Sequence, residues 1–512
     1  MNAASASIGL SKSRSLAGLA VVLAVATALR WQATQSDGLW MDEIFGASYV
    51  NLNPWEVVVA VLRFDIHPPG YYLQLKAWSV LGRSDQWLLL NSVAWSLGSV
   101  VAVYLGVSRR ADRIAGLLAA ACVALLGSEI FFASELRMYA MLSCMALVLW
   151  QVVDAWLDKG GKALCLWVLS LLLVLSLLHS VAFLAIGSVL AFAWLTWWQR
   201  RPSVVSLRAM VCLTVAAGLL LMPWLANAFV RSVSHTAVPS AQVMAGTVGG
   251  WWLGYFPGVT PLQLSVAALV SLVVILALML SGTRQVRALV LCFVVAPLVL
   301  VAAVSMLVRP IWLDRTLAYA AVFLPVALAL QWHAWSGGGS RQWGVGLLVL
   351  AMQGTVLFGF IHLAEGLQTS RKMQFREAAA YIAEHNPSRL PVYVPSNVRF
   401  WAMARYLQGP AWGSLLAIQD PVRADDSDTW RRVYARLGSD LLDRLHLVPS
   451  ARTVESPSGA LWIGPTPLPP DVAAKGFFFV GDMRDRDRTQ ACPQGTEVAR
   501  TAFVGVMVFE CR

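Results

Sequence analysis

Charge is scarce in this chain: only 13% of its 512 residues are Asp, Glu, Lys or Arg, while 58% are hydrophobic and the mean hydropathy is +0.63. That composition excludes a soluble protein and leaves a polytopic membrane protein. Cysteine is sparse as well, with 7 residues. Cys122, Cys144, Cys165, Cys212 and Cys292 fall in apolar stretches, where cysteine packs as a small hydrophobe. Only Cys492 and Cys511 lie in a polar region, where an oxidising exterior would leave them either bridged or free. Also missing are a nucleotide-binding glycine loop, internal repeats and low-complexity tracts. No small-residue cleavage site follows the basic head carrying Lys12 and Arg14, so the first apolar stretch is expected to be a retained helix. The net charge of +11 is mostly topological and calls for no nucleic-acid partner, although part of it suits anionic lipid headgroups.

What is present is a series of apolar stretches at about 16–33, 86–107, 114–133, 138–157, 163–179, 181–198, 209–226, 262–281, 287–307, 316–335 and 343–363, eleven in all. Each is close to the roughly 20 residues that one crossing needs. The run 163–198 breaks only at His179-Ser180, but it is too long for a single crossing and is expected to be two spans. An odd number places the termini on opposite sides. The loops with Lys12, Arg14, Arg109, Arg110, Arg113, Lys159, Lys162 and Arg200 are richer in basic residues than the opposite set, so the amino terminus is expected in the cytoplasm. Polarity rises after about residue 365, where an amphipathic run at Phe375–Ile382 precedes strand-like segments at Pro391–Val394, Ala460–Gly464 and Phe477–Gly481. The expected architecture is a transmembrane domain over 1–365, with a first outer loop at 34–85, and an extracytoplasmic α/β domain over 366–512.

The chemistry-bearing residues gather in the outer loops. Asp42-Glu43 and Asp65-Ile66-His67-Pro68-Pro69-Gly70-Tyr71-Tyr72 lie in the first, with Lys76; Glu135, Arg137 and Tyr139 in the next; then His179; then Arg309, Asp314 and Arg315. Ionisable groups cost several kcal/mol in hydrocarbon, so both signs of charge at the outer rim suggest a site. The mixture suits displacement at the anomeric carbon of a sugar on a lipid phosphate. A carboxylate accepts the acceptor hydroxyl's proton, cations stabilise the departing phosphate, and no general acid is required. Each residue also has a plainer use: Asp42 and Glu43 as helix caps, His67 packed on its prolines, Glu135 with Arg137 as an ion pair, Lys76 on a helix surface, Arg309 snorkelling to headgroups, His179 as a polar helix end. The loop 227–260, with Trp251-Trp252 and Tyr255-Phe256, suits either a mobile lid or an interfacial aromatic belt.

The Asp42-Glu43 pair after the first span, the His67–Tyr72 segment, the Ser134–Ala140 loop and the Arg309–Arg315 loop resemble those of the GT-C glycosyltransferases. The branch they look most like is that of bacterial protein O-mannosyltransferase-like enzymes (glycosyltransferase family 39-like) and lipid A aminoarabinose transferase. The tail segment Lys372–Ala379 resembles the start of the extracytoplasmic domain in bacterial members. The resemblance implies an inverting transferase that uses a polyprenyl-phosphate sugar as donor at the outer face of the bacterial inner membrane. It maps the catalytic aspartate onto Asp42, with Glu43 of the same pair as the second catalytic candidate. His67, Tyr71, Tyr72, Lys76, Glu135, Arg137, Tyr139, Arg309 and Arg315 are the expected substrate contacts. In the aminoarabinose branch a lysine stands where this chain has His67. The oligosaccharyltransferase signature Trp-Trp-Asp is absent, because Leu253 follows Trp251-Trp252. Donor sugar and acceptor stay open, the latter among lipids such as the lipid A of lipopolysaccharide, cell-envelope glycans and proteins. No cofactor is assigned, and a divalent cation would find its candidate ligands in Asp42, Glu43 and His67. The rival classes are a polyprenyl-lipid transporter and a non-catalytic lipid-sugar binder.

Overall fold

The computed structural model describes residues 11–35, 38–200, 204–231, 237–256, 258–335, 372–388, 390, 392–394, 397–407, 452–455, 460–463, 476–481, 492 and 497–511. The chain divides into two compact units. One comprises Met1–Gln35, Ile66–Tyr71 and Leu89–Gln368; the other comprises Ser36–Asp65, Tyr72–Leu88 and Thr369–Arg512.

The helices follow in chain order as α1 (Lys12–Ala33), α2 (Met41–Ser48), α3 (Pro54–Phe64), α4 (Gly70–Trp78), α5 (Asp85–Arg110), α6 (Arg113–Ala124) and α7 (Gly127–Ala133). Next come α8 (Tyr139–Lys159), α9 (Lys162–Ser176), α10 (Ala182–Gln199), α11 (Leu207–Arg231), α12 (Ala241–Leu253), α13 (Pro261–Ser281), α14 (Arg284–Leu307) and α15 (Phe323–Ala334). Among the described residues eight helices are long and apolar enough to cross a membrane, counting α15 with its lead-in from Asp314. The pair α6 and α7, bent by 58°, makes a ninth if it is one span, and α9 is a shorter apolar helix. This is a multi-pass helical membrane protein. The run 163–198 is two helices, broken at residues 177–181. The stretch expected at 343–363 lies outside the described residues.

The bend between α6 and α7 has a physical cause. Arg30, in the last turn of α1 and fully buried, donates to the carbonyls of Val123 and Ala124 at 3.2 and 2.8 Å, at the C-terminal end of α6 where the regular helical bonds stop. Its Nε also donates to Ser96 Oγ at 2.9 Å, and that hydroxyl reaches Glu129 Oε2 at 3.0 Å, in the first turn of α7. Gly127 is required at the turn because a Cβ there would collide with the backbone of Leu253 and Gly254. Aromatic packing fills the bundle: Phe293 stacks on Phe323 at 3.9 Å, with Trp150 edge-on to Phe323 at 6.0 Å. Arg110 lies 4.1 Å over the Trp150 ring and donates to Asp154 at 2.7 Å.

In the second unit, α3 opens on a capping box in which Asn53 Oδ1 accepts from Glu56 N–H and Glu56 Oε2 accepts from Asn53 N–H. The polar tail contributes α16 (Phe375–His385) and α17 (Asn397–Leu407). Its strands are β1 (Val392–Tyr393), β2 (Arg452–Glu455), β3 (Ala460–Ile463), β4 (Phe477–Gly481), β5 (Glu497–Phe503) and β6 (Val506–Cys511), in the order β2-β3-β1-β4-β6-β5. The central β1 runs parallel to β3 and β4, while both flanks are antiparallel. β4 is buried along its whole length, which is why it is a run of Phe477, Phe478, Phe479 and Val480 rather than an alternation. Tyr393, Phe477, Phe479, Phe509 and Cys511 form the core, and the disulfide Cys492–Cys511 closes onto it.

Candidate active site

The residues singled out in the sequence fall in both units, and each group is built by its own unit.

In the second unit, Asp42 stands in the first turn of α2, half-buried. A carboxylate there is favoured by the exposed N–H groups and positive end of the helix dipole. Its neighbour Glu43 has no exposed surface. Glu43 Oε2 accepts from Trp40 N–H at 3.0 Å, capping α2, and both its oxygens accept from Lys372 Nζ, at 2.7 and 2.8 Å. Tyr72 donates to Asp65 Oδ2 at 2.7 Å and packs on Tyr49 at 4.8 Å. Lys76 donates to the Val50 carbonyl at 2.6 Å, with its ammonium pKa lowered by partial burial and by Arg83, an effect that Glu56 opposes.

In the helical unit, the segment Ile66–Tyr71 is tied down by Gly70 N–H donating to the Leu177 carbonyl at 2.8 Å. This places His67 against the loop between α9 and α10. Its ring lies 4.3 Å from that of His179, and its Nδ1 is 3.1 Å from Ser180 Oγ. His179 Nδ1 accepts from Val181 N–H at 2.8 Å, so the neutral ring carries its proton on Nε2, which is buried without a partner among the described residues. Tyr139, at the start of α8, packs on His179 at 5.5 Å and hydrogen-bonds Arg137. Burial, then Arg137 and Arg315, hold the His67 imidazole well below its ordinary pKa. His179 is lowered by burial, by His67 and by the same two arginines. The positive charge of this cluster thus resides on guanidinium groups, and burial favours neutral imidazoles beside them.

Arg137 and Glu135 come from the tight turn between α7 and α8, both nearly buried, with Arg137 N–H donating to the Glu135 carbonyl at 2.8 Å. Arg315 lies at the end of a loop that Trp312 pins by donating from Nε1 to Thr247 Oγ1 at 2.9 Å. Arg309, at the other end of that loop, donates to the Phe229 carbonyl on α11 at 3.3 Å. The field at both imidazoles comes from Arg137 and Arg315. Tyr71 is buried in the same unit. Of the loop 227–260, Trp251, Trp252 and Phe256 are buried, while Phe229 is exposed. Trp251 and Trp252 end α12, both buried, with Trp252 donating to Ser271 Oγ at 2.7 Å, and Tyr255 donates to the Thr247 carbonyl at 2.9 Å.

Three features escaped the sequence. Lys372 was legible only as part of a tail segment, and nothing local signals a partner so far away in the chain. Arg30 and Glu129 sit unremarked in apolar stretches, although a charged residue inside a span is itself a signal. His179 reads as a polar helix end and does accept from Val181 N–H just before α10, but it is also the neighbour of His67. Among the described residues no group of three or more His, Cys, Asp or Glu side chains has the geometry to hold a metal ion.

No protein-family model matches the chain, and no curated protein matches it either. Solved structures do resemble it. The crystal structure of ArnT from Cupriavidus metallidurans in the apo state aligns with 97% of this chain and 98% of its own, at TM-score 0.54 and 10% identity. The same protein bound to undecaprenyl phosphate aligns with 96% and 97% at TM-score 0.52 and 10% identity. The oligosaccharyltransferase of Archaeoglobus fulgidus in the apo form gives a weaker likeness, TM-score 0.47 at 10% identity over 77% of this chain and 64% of that one. The chain has the fold of the GT-C glycosyltransferases.

Proposed function

We propose that this protein is an inverting glycosyltransferase that moves a sugar from a polyprenyl phosphate to a hydroxyl acceptor at the outer face of the bacterial inner membrane. The observation that carries the reading is the His67–His179 cluster, in which a buried Nε2–H has no protein partner among the described residues and two guanidinium groups set the field. A buried donor in a positive field lacks an anion, and a phosphate supplies one. The apolar helices around it suit a polyprenyl tail, and ArnT, which shares the fold, is solved with undecaprenyl phosphate bound.

In this reading Asp42 takes the proton from the acceptor hydroxyl, whose oxygen then attacks the anomeric carbon from the face opposite the phosphate. The bond from that carbon to the phosphate oxygen breaks, and the electron pair leaves on the phosphate. Arg137 and Arg315 balance its charge while His67 and His179 donate hydrogen bonds to it. Glu43 anchors and does not transfer protons, because its carboxylate oxygens are taken by Trp40 and Lys372. Tyr71, Tyr72, Lys76, Glu135, Tyr139 and Arg309 shape the surroundings for donor and acceptor.

The test is incubation of the purified protein, in lipid, with a panel of polyprenyl-phosphate sugars and hydroxyl acceptors. The expected products are free polyprenyl phosphate and a glycoside of opposite anomeric configuration. Tight lipid binding with no transfer from any donor would favour a non-catalytic binder instead, and movement of intact donor across the bilayer would favour a transporter.

A further inference from the structure

We infer that the polar tail fixes the position of the catalytic carboxylate, with Lys372 acting on Asp42 through Glu43; the inference rests on the reading of Asp42 as the base. All the residues concerned belong to the second unit.

A capping-box glutamate ordinarily sits on an open helix end, where water completes its solvation. Glu43 instead has no exposed surface, and its counter-charge, the Lys372 ammonium, has a side chain only 4% exposed. A carboxylate buried this deeply is retained only with a partner that answers both oxygens, and Lys372 comes from 329 residues further along the chain. Lys372 is itself held, because two residues later Gln374 N–H donates to the Val504 carbonyl at 3.0 Å while Gln374 Oε1 accepts from Val504 N–H at 2.9 Å. Those bonds fasten it to the turn of the β5–β6 hairpin. A continuous chain of contacts therefore runs from the sheet through Gln374 and Lys372 to Glu43, the residue next to Asp42.

A second tether grips the other side of Asp42. Leu39 N–H donates to the Tyr406 hydroxyl at 2.7 Å, and that hydroxyl donates to Asp85 Oδ2 at 2.8 Å. Arg405 Nε donates to Asp85 Oδ1 at 2.8 Å. Burial and Asp85 push the Tyr406 phenol upward, so it stays a donor at any working pH. Gly38 has no room to spare either, since a Cβ there would meet Tyr406 Oη at 3.1 Å and Arg376 Cβ at 3.2 Å. Asp42 thus sits between Leu39 and Glu43, each hydrogen-bonded to a tail side chain. Misplacing a reacting group by about 1 Å costs on the order of 100-fold in rate. Lys372 and Glu43 are on this account positioning residues for Asp42.

The test is a double-mutant cycle on the full-length protein, with Lys372→Met, Glu43→Gln and the two combined. The amide introduced by Glu43→Gln keeps an oxygen to accept from Trp40 N–H, and the pair together removes both charges, so neither is left buried alone. Each single variant is expected to lower kcat by about 100-fold with KM for the donor little changed, and the double variant is expected to recover most of the loss. Hydrogen exchange supplies a readout independent of activity: amides of α2 should lose protection in each single variant and regain it in the double, while those of β4 and β6 stay unchanged. A double variant no better than Glu43→Gln would make Glu43 a participant in the chemistry and overturn the inference. Unchanged α2 protection and unchanged kcat in Lys372→Met would overturn it equally. Full turnover by Asp42→Asn, measured alongside, would remove the base reading and with it the catalytic part of the inference, while the exchange data would still report on the tether.

Discussion

Among the described residues two glutamates have almost no solvent contact, and they are neutralised in different ways. Glu129, in the helical unit, meets its cation through an intermediary: Ser96 stands between its carboxylate and Arg30, whose remaining N–H groups go to the Ala26 carbonyl of its own helix and to the end of α6. Glu43, in the second unit, takes both bonds directly from Lys372. The first arrangement spreads one positive charge over four acceptors and holds a bend. The second commits a lysine to one carboxylate beside a proposed reacting group. Similar burial therefore points to different work, stability of the helix break in one case and geometry of the site in the other.

That contrast can be broken by substitution. The largest effect is expected from Arg30→Met, which strands Glu129 and takes a donor from the Val123 and Ala124 carbonyls; removing one partner of a buried pair costs about 3–5 kcal/mol. It should appear as a large drop in the unfolding midpoint of the protein in detergent, and adding Glu129→Leu should restore much of it. A drop of similar size with unchanged kcat in Lys372→Met would erase the distinction. Next is the disulfide, which closes a 19-residue separation in the second unit. Cys492→Ser with Cys511→Ser should cost about 3 kcal/mol by loop entropy, and hydrogen exchange should confine the loss to β4, β5 and β6. Arg315→Ala should weaken polyprenyl-phosphate binding by about 10- to 100-fold, the worth of a charged hydrogen bond, as measured by titration with the lipid phosphate.

The smallest effect is a pH dependence. His67 and His179 are held below the ordinary value of 6.5, so below that pH the unfolded chain binds protons that the folded one refuses. Stability should therefore fall as the pH drops from about 6.5 toward the folded pKa values and be insensitive to these groups above it. His67→Gln together with His179→Gln should flatten the slope of unfolding midpoint against pH. Bound polyprenyl phosphate should flatten it too, because an anion offsets the arginine field.

Much of the helical unit was legible because spans leave a length and hydropathy signal that survives without any knowledge of packing. The break at His179-Ser180 could be located from length alone, and in the tail the helix from Phe375 and the strands near Val392, Ala460 and Phe477 follow from local periodicity. β5 and β6 were missed, since Glu497–Phe503 is a mixed, partly exposed edge whose strand character comes from its partner. The site was legible as residue types in outer loops, and for His67, Arg137 and Arg315 the structure adds a common electrostatic neighbourhood. What local sequence does not carry is pairing across hundreds of residues. Nothing near Glu43 announces Lys372, and nothing near Asp85 announces Arg405 and Tyr406. Nor does sequence say which of two adjacent acids turns inward; the helix phase of α2 and the capping of Trp40 decide that.

The central claim is transfer from a lipid phosphate with Asp42 as base, and single-turnover sugar transfer by Asp42→Asn tests it most directly, with donor binding measured on the same sample. The account predicts unchanged donor binding and a rate lowered by about 100- to 10,000-fold. Transfer at the wild-type rate with donor bound would contradict it.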